Sequence, residues 1–186
     1  MALLLPKSVF FHIPKTGGMW VHRAAQRAGL AKGESLCNYH YKEGIPSRFP
    51  CCTHNIPETN YKELLEGKFL FAFVRNPLTW YQSLWSYHIR VGWESGDTMY
   101  RKCASDKFDV FVRSVLQEYG GVSSARYKRC LGENAELLNV VGRFENITED
   151  LIYALEMAGE EFDSEIIHSN GPTNHTSRLP YWKEKC

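Results

Sequence analysis

Residues Phe69–Val74 (Phe-Leu-Phe-Ala-Phe-Val) carry no polar side chain, and they are closed at once by Arg75-Asn76-Pro77. A run this short, aromatic and uninterrupted predicts a strand buried on both faces. Such strands belong to parallel sheets covered by helices. A proline three residues past the run suits the first turn of a helix. Leu78, Tyr81, Trp85 and Ile89 then mark one expected apolar face. The run therefore predicts a strand, a tight turn and a helix in immediate succession.

The same order occurs earlier. Residues 8–13 (SVFFHI) form a short apolar run ended by Pro14, followed by Lys15-Thr16-Gly17-Gly18. Val21, Ala24, Ala25 and Ala28 then recur at helical spacing, with Gly29 as a stop. Residues 137–144 read as a third strand. Asn146 with Glu149 three positions on has the form of a capping box, opening a helix through Leu151, Leu155 and Ala158 that Gly159 ends. Phe108, Phe111, Val112, Val115, Leu116 and Tyr119 trace another amphipathic helix, and residues 58–66 a short one. Residues 30–57 and 91–105 show no such period. Strands alternating with helices predict an α/β fold, a three-layer sandwich around a central, mostly parallel sheet, with its ligand crevice at the carboxyl ends of the strands.

A chain of 186 residues fits one domain, 1–186, with a single core. With 22 Lys+Arg against 21 Asp+Glu the net charge is +1. That balance provides no global field for steering onto nucleic acid or an anionic membrane, so any anion site must be local. No stretch approaches the roughly 18 apolar residues of a spanning helix, and residues 2–5 are too short for a signal-peptide core. A cytoplasmic protein is expected, or a soluble domain excised from a larger secretory-pathway protein. The six cysteines (Cys37, Cys51, Cys52, Cys103, Cys130 and Cys186) include no Cys-x-x-Cys pair, and are read as mostly free thiols. Asn146-Ile-Thr and Asn174-His-Thr are glycosylation sequons, relevant only in a secretory setting.

Two groups of residues carry chemistry. In His12-Ile13-Pro14-Lys15-Thr16-Gly17-Gly18 a strand runs into a helix through glycines. At such a place backbone N–H groups and the helix dipole meet an anion. Lys15 adds a compact positive charge and Thr16 a hydroxyl. The pattern is not a Walker A loop, because Lys15 precedes the glycines. In the second group, Arg75, Thr79 and Ser83 are spaced by four; a guanidinium fork and a hydroxyl together suit a terminal phosphate. A Mg-nucleotide enzyme would place a metal-holding carboxylate at the end of a neighbouring strand. Here that position is Arg75, which suits direct contact with an anion.

Together these segments resemble the sulfotransferases that use 3′-phosphoadenosine 5′-phosphosulfate (PAPS), particularly the carbohydrate and heparan-sulfate type and its bacterial relatives. Phe11-His12-Ile13-Pro14-Lys15-Thr16-Gly17-Gly18 resembles their 5′-phosphosulfate loop. Phe71-Ala72-Phe73-Val74-Arg75-Asn76-Pro77 with Ser83 resembles their 3′-phosphate motif. Gly142-Arg143-Phe144-Glu145-Asn146 with Asp150-Leu151 looks like a later family segment. Asn174-His175-Thr176-Ser177 resembles the loop that closes over the nucleotide, placed at residues 172–182.

The resemblance implies a P-loop NTPase-like sulfotransferase fold and sulfuryl transfer to an acceptor hydroxyl, leaving 3′-phosphoadenosine 5′-phosphate (PAP), with no metal required. It implies that Lys15 stabilises the departing phosphate oxygen. Pro14, Lys15, Thr16, Gly17, Gly18, Met19 and Trp20 would surround the 5′ group. Arg75 and Ser83 would bind the 3′-phosphate, with Thr176, Ser177 and Arg178 closing over the nucleotide. Met19 departs from the pattern, since the family commonly has Thr or Ser there.

An acceptor alcohol needs a general base. His54, in Cys51-Cys52-Thr53-His54, matches a family histidine that serves as one; Glu58 is the alternative. Cys51-Cys52 beside His54 lacks further ligands at metal-binding spacing. His12 reads as a packed residue beside the loop, His88 as lining the acceptor side or the core, and His175 as part of the closing loop. Residues 30–52 and 91–106 are expected to shape the acceptor pocket. The expected acceptor is a small molecule or glycan, with a carbohydrate hydroxyl first. The competing readings are a small Mg-dependent kinase and a non-catalytic nucleotide- or glycan-binding module.

Overall fold

The computed structural model describes residues 2–31, 65–94 and 98–172. The chain packs as two compact units, and it leaves the first after Arg75 to re-enter it at Arg126.

The described part of the first unit is built on a four-stranded sheet in the order β1 (Ala2–Leu4), β2 (Ser8–Phe11), β3 (Phe69–Val74), β4 (Val140–Arg143). β2, β3 and β4 run parallel, with Phe11 opposite Ala72 and Val74 opposite Arg143. β1 is antiparallel to β2. The sheet is therefore mixed, and the α/β class expected from the sequence is the class observed.

Strand alternation sorts side chains onto two faces. Phe10, Phe71 and Phe73 pack with Val21, Ala24 and Ala25 of α1 (Gly18–Arg27) and with Ile147, Leu151 and Leu155 of α6 (Ile147–Met157). Ile167 of α7 (Ser164–His168) joins the same cluster. On the other face Val9, Phe11, Leu70 and Ala72 pack with Cys130 and Leu131, at the end of α5 (Val122–Leu131). Burial of both faces explains why β3 is uniformly apolar. At the opposite end of β2, Glu160 accepts from the Lys7 N–H at 2.8 Å and from the Ser8 hydroxyl at 2.7 Å, which ties the end of α6 to the start of the strand.

The second unit contains α2 (Pro77–Val91), α3 (Thr98–Lys102), α4 (Phe108–Glu118) and the first residues of α5. Its core gathers Trp80, Tyr81, Leu84, Trp85, Met99, Phe108, Phe111 and Val115. α2 starts at the expected proline, and the Asn76 side chain accepts from the Leu78 N–H at 2.9 Å. Its buried face is turned from the expected one. Tyr81 and Trp85 are buried as expected, but Leu78 and Ile89 are exposed, while Trp80, Leu84 and His88 face inward, because the Trp80 indole and the His88 imidazole offer more contact area than the two aliphatic chains.

Other departures are local. The third strand is shorter than residues 137–144, with 3₁₀ turns at Gly132–Leu137 and Phe144–Asn146 on either side of it. α6 begins at Ile147 as expected, but the Asn146 side chain makes no capping bond. Instead Asp150 accepts from the Arg143 N–H at 2.6 Å, so the carboxylate of the first turn holds the end of β4. Cys103 and Cys130 are buried free thiols. Among the described residues no helix is long and apolar enough to cross a membrane.

Candidate anion-binding site

The turn after β2 is fastened from within. Thr16 is fully buried, and both its N–H and its hydroxyl donate to the Ile13 carbonyl, at 3.4 and 2.8 Å. The hydroxyl proton expected to meet a phosphate is therefore engaged in bracing the turn. Lys15 stands at φ 71°, the one described non-glycine residue with positive φ, and Gly17 at φ 88°. Gly17 has a second reason to lack a side chain: a Cβ there would lie 2.9 Å from Phe144 and would overlap Ile147. At Gly18 a Cβ would overlap the imidazole of His12.

The Trp20 and Val21 N–H groups both donate to the Gly17 carbonyl, at 2.8 and 3.2 Å. Among the described residues no acceptor meets the N–H groups of Gly17, Gly18 and Met19, the orphan donors that a helix start always leaves. These three donors, the N-terminal dipole of α1 and the Lys15 amine together suit a phosphate or phosphosulfate oxygen.

His12 is packed, as expected. Its ring lies 6.0 Å from Phe10 and 5.6 Å from His22 between centroids. Burial pushes its pKa down to about 3, assisted by His22, the chain's amino terminus and Lys15, so the imidazole is neutral at physiological pH. Met19 is exposed, and the Trp20 indole donates to the Asn170 carbonyl at 2.7 Å, which fixes α1 to the end of α7.

Arg75 follows β3 and is 8% exposed. Its Nη1 donates to the Lys15 carbonyl at 3.2 Å, and its guanidinium carbon lies 3.9 Å above the Phe144 ring. Burial lowers its pKa to about 10, opposed by the neighbouring Glu145 and Tyr127. It is a cation at neutral pH.

Two residues widely separated in sequence, Lys15 and Arg75, thus meet at the carboxyl edge of the sheet through the Lys15 carbonyl and the Arg75 guanidinium. Comparison of the chain with protein-family models, with curated proteins and with solved structures finds no match. The reading of this edge rests on its own geometry and on the motifs.

The structure also explains the segment after β4. Gly142 has no space for a side chain because Phe73 lies against it, where a Cβ would be 2.8 Å from Cδ1. Phe144 is the platform under Arg75. Ser83 lies on α2 in the second unit, half-buried. His88 belongs to that unit's core, 2% exposed, its Nδ1 3.1 Å from the Gly92 carbonyl and its ring stacked on Trp93. His54, Glu58, Cys51, Cys52, His175, Thr176, Ser177 and Arg178 lie outside the described residues, as does nearly all of the helix expected at 58–66.

One residue of the site carried no sequence signal. Tyr127, on α5, accepts a hydrogen bond from the Arg75 N–H at 3.0 Å and donates one to the Arg75 carbonyl at 3.3 Å. It lies in the polar stretch Ser-Ser-Ala-Arg-Tyr-Lys-Arg, where nothing in the spacing marks it.

Proposed function

We propose that this chain is a PAPS-dependent sulfotransferase that moves a sulfuryl group onto an acceptor hydroxyl, with a carbohydrate as the acceptor. The observation that carries this reading is the bond from Arg75 Nη1 to the Lys15 carbonyl. It joins the two strand ends whose motifs resemble the phosphate-binding motifs of that family.

PAPS supplies an activated sulfuryl group on a phosphate leaving group. In this reading the N–H groups of Gly17, Gly18 and Met19 hold the 5′-phosphate. Lys15 neutralises charge on the oxygen that departs from sulfur, and such preorganised donors act most strongly where water is excluded. Arg75 binds the 3′-phosphate, which anchors the nucleotide so that the reacting atoms are held in line. His54 takes the acceptor proton as the acceptor oxygen bonds to sulfur, with Glu58 as the alternative base. Thr16 contributes through the turn that it braces rather than through a free hydroxyl.

The experiment is a thermal unfolding series with PAP, with and without Mg²⁺, followed by transfer from labelled PAPS to a panel of glycan acceptors. A ligand selective for the folded state at about 100 times its Kd adds about 2.7 kcal/mol, so a clear rise in Tm without Mg²⁺ is expected. No shift at saturating PAP, with a shift on Mg-ATP, would replace this reading by that of a kinase. Binding of PAP with no product from any acceptor, and no effect of Lys15→Ala on the background rate, would leave a binding module.

A further inference from the structure

We propose that Tyr127 is the positioning residue of the anion site, holding Arg75, and through Arg75 the left-handed Lys15, in the orientation that binds a phosphate. The argument begins where β3 ends. Val74 is the last residue of the ladder, so the N–H and C=O of Arg75 lose their strand partners just as the chain enters a buried region. Buried backbone polar groups must find partners. One hydroxyl supplies both: Tyr127 receives the Arg75 N–H at 3.0 Å and gives its own proton to the Arg75 carbonyl at 3.3 Å. Burial raises the Tyr127 pKa, which keeps that proton in place at neutral pH.

With its backbone clamped at both polar atoms, Arg75 has a fixed point of departure for its side chain. The guanidinium then lies over the Phe144 ring and reaches the Lys15 carbonyl. That last bond bears on a residue in a conformation L side chains rarely adopt. The chain of contact is therefore Tyr127, Arg75, Lys15, and it joins α5, the end of β3 and the turn after β2. Loss of the hydroxyl removes the clamp while leaving the aromatic ring, which packs against the cluster of Val9, Phe11 and Leu70.

This inference rests on the sulfotransferase reading for the identity of the anion, but its mechanical part does not. The test compares the unsubstituted chain, Tyr127→Phe, and Leu5→Ala, a core truncation at the opposite end of the strands, under conditions where all three are folded. Two quantities are read: hydrogen exchange and rotation of the Arg75 guanidinium by NMR, and the affinity for PAP. Tyr127→Phe is expected to speed guanidinium exchange and to weaken PAP at least about tenfold, equivalent to about 1.4 kcal/mol. The KM for PAPS should rise while the acceptor KM is unchanged, and Leu5→Ala should alter stability alone. A folded Tyr127→Phe with unaltered Arg75 exchange and PAP affinity would overturn the proposal, as would an equal loss in Leu5→Ala. Absence of PAP binding by the unsubstituted chain would overturn the sulfotransferase reading instead, and the exchange measurement would still decide whether Tyr127 orders Arg75.

Discussion

The imidazole of His12 fills the space that a side chain on Gly18 would occupy. Glycine at this position is thus a packing requirement of the strand behind the turn, as well as a means of close approach to an anion. Alanine is ordinarily the better helix former by about 1 kcal/mol, so propensity alone would make Gly18→Ala stabilising. Overlap with a buried ring reverses the sign, and a loss of about 1–3 kcal/mol is expected. Adding His12→Ala should recover part of it. A denaturant double-mutant cycle reads the coupling, and additivity within about 0.5 kcal/mol would refute the contact.

Acid sensitivity follows from the same histidine. In the folded chain His12 titrates near 3, and burial also lowers His22, with the chain's amino terminus acting in the same direction. The unfolded chain takes up protons near pH 6.5 that the folded chain refuses. This contribution is complete above pH 6.5 and declines as pH falls towards 3, by about 1.4 kcal/mol per pH unit for His12 in the steep part of that window. Urea unfolding between about pH 7 and pH 5 should show the decline, and His12→Phe should flatten it. An unsubstituted chain equally stable across that range would contradict the burial of both rings.

Lys15→Gly should separate stability from activity. The positive φ of Lys15 costs roughly 1–2 kcal/mol for an L residue. Relief of that strain is offset by about 0.5–1 kcal/mol from the extra freedom of glycine in the unfolded chain. The variant is expected to be as stable as the unsubstituted chain or slightly more so, while the proposed sulfuryl transfer falls by about 10²–10³ through loss of the amine. Lys15→Ala retains the strain and is the poorer probe. Retained turnover in a folded Lys15→Gly would remove the lysine from the mechanism.

Arg75→Met tests the buried cation. The methionine preserves apolar contact with Phe144 but loses the bond to the Lys15 carbonyl and the charge. A buried charge is often replaced by an apolar side chain at little or no cost, so stability should change by less than about 1 kcal/mol. The Tm rise on adding PAP should disappear. A PAP-induced shift as large as that of the unsubstituted chain would show that Arg75 does not meet the ligand.

The parts of the fold legible in the sequence are those where one force dominates. β3 falls at the bounds its apolar run predicts, since burial on both faces leaves no second pattern to confuse it. β1 has no signature in the sequence because three residues, Ala2–Leu4, make a strand only through pairing with Val9, Phe10 and Phe11, and local pattern does not report non-local pairing. α3 and α7 are five residues each, too short to display a period. The apolar spacing of α2 finds Tyr81 and Trp85 but misplaces the edges of the buried face, because a buried His88 and a half-apolar Gln82 are invisible to a count of apolar residues. At the site, Lys15 and Arg75 stand out through their motifs, while Tyr127 acts through one hydroxyl on another residue's backbone. No spacing rule encodes that kind of contact. Thr16 shows the converse: its motif marks the residue, but its hydroxyl serves the turn.

Lys15, Arg75 and Phe144 each follow a different parallel strand, and their alignment depends on Phe11 facing Ala72 and Val74 facing Arg143. A slip of one residue in β3 would displace Arg75 by about 3.3 Å and turn its side chain to the opposite face of the sheet. A mispaired sheet would then lack the bond between Arg75 and the Lys15 carbonyl altogether. The anion binding proposed for this chain would therefore double as a proofreading signal: in a refolded sample, the fraction of molecules that bind would count the fraction whose strands have found their native register.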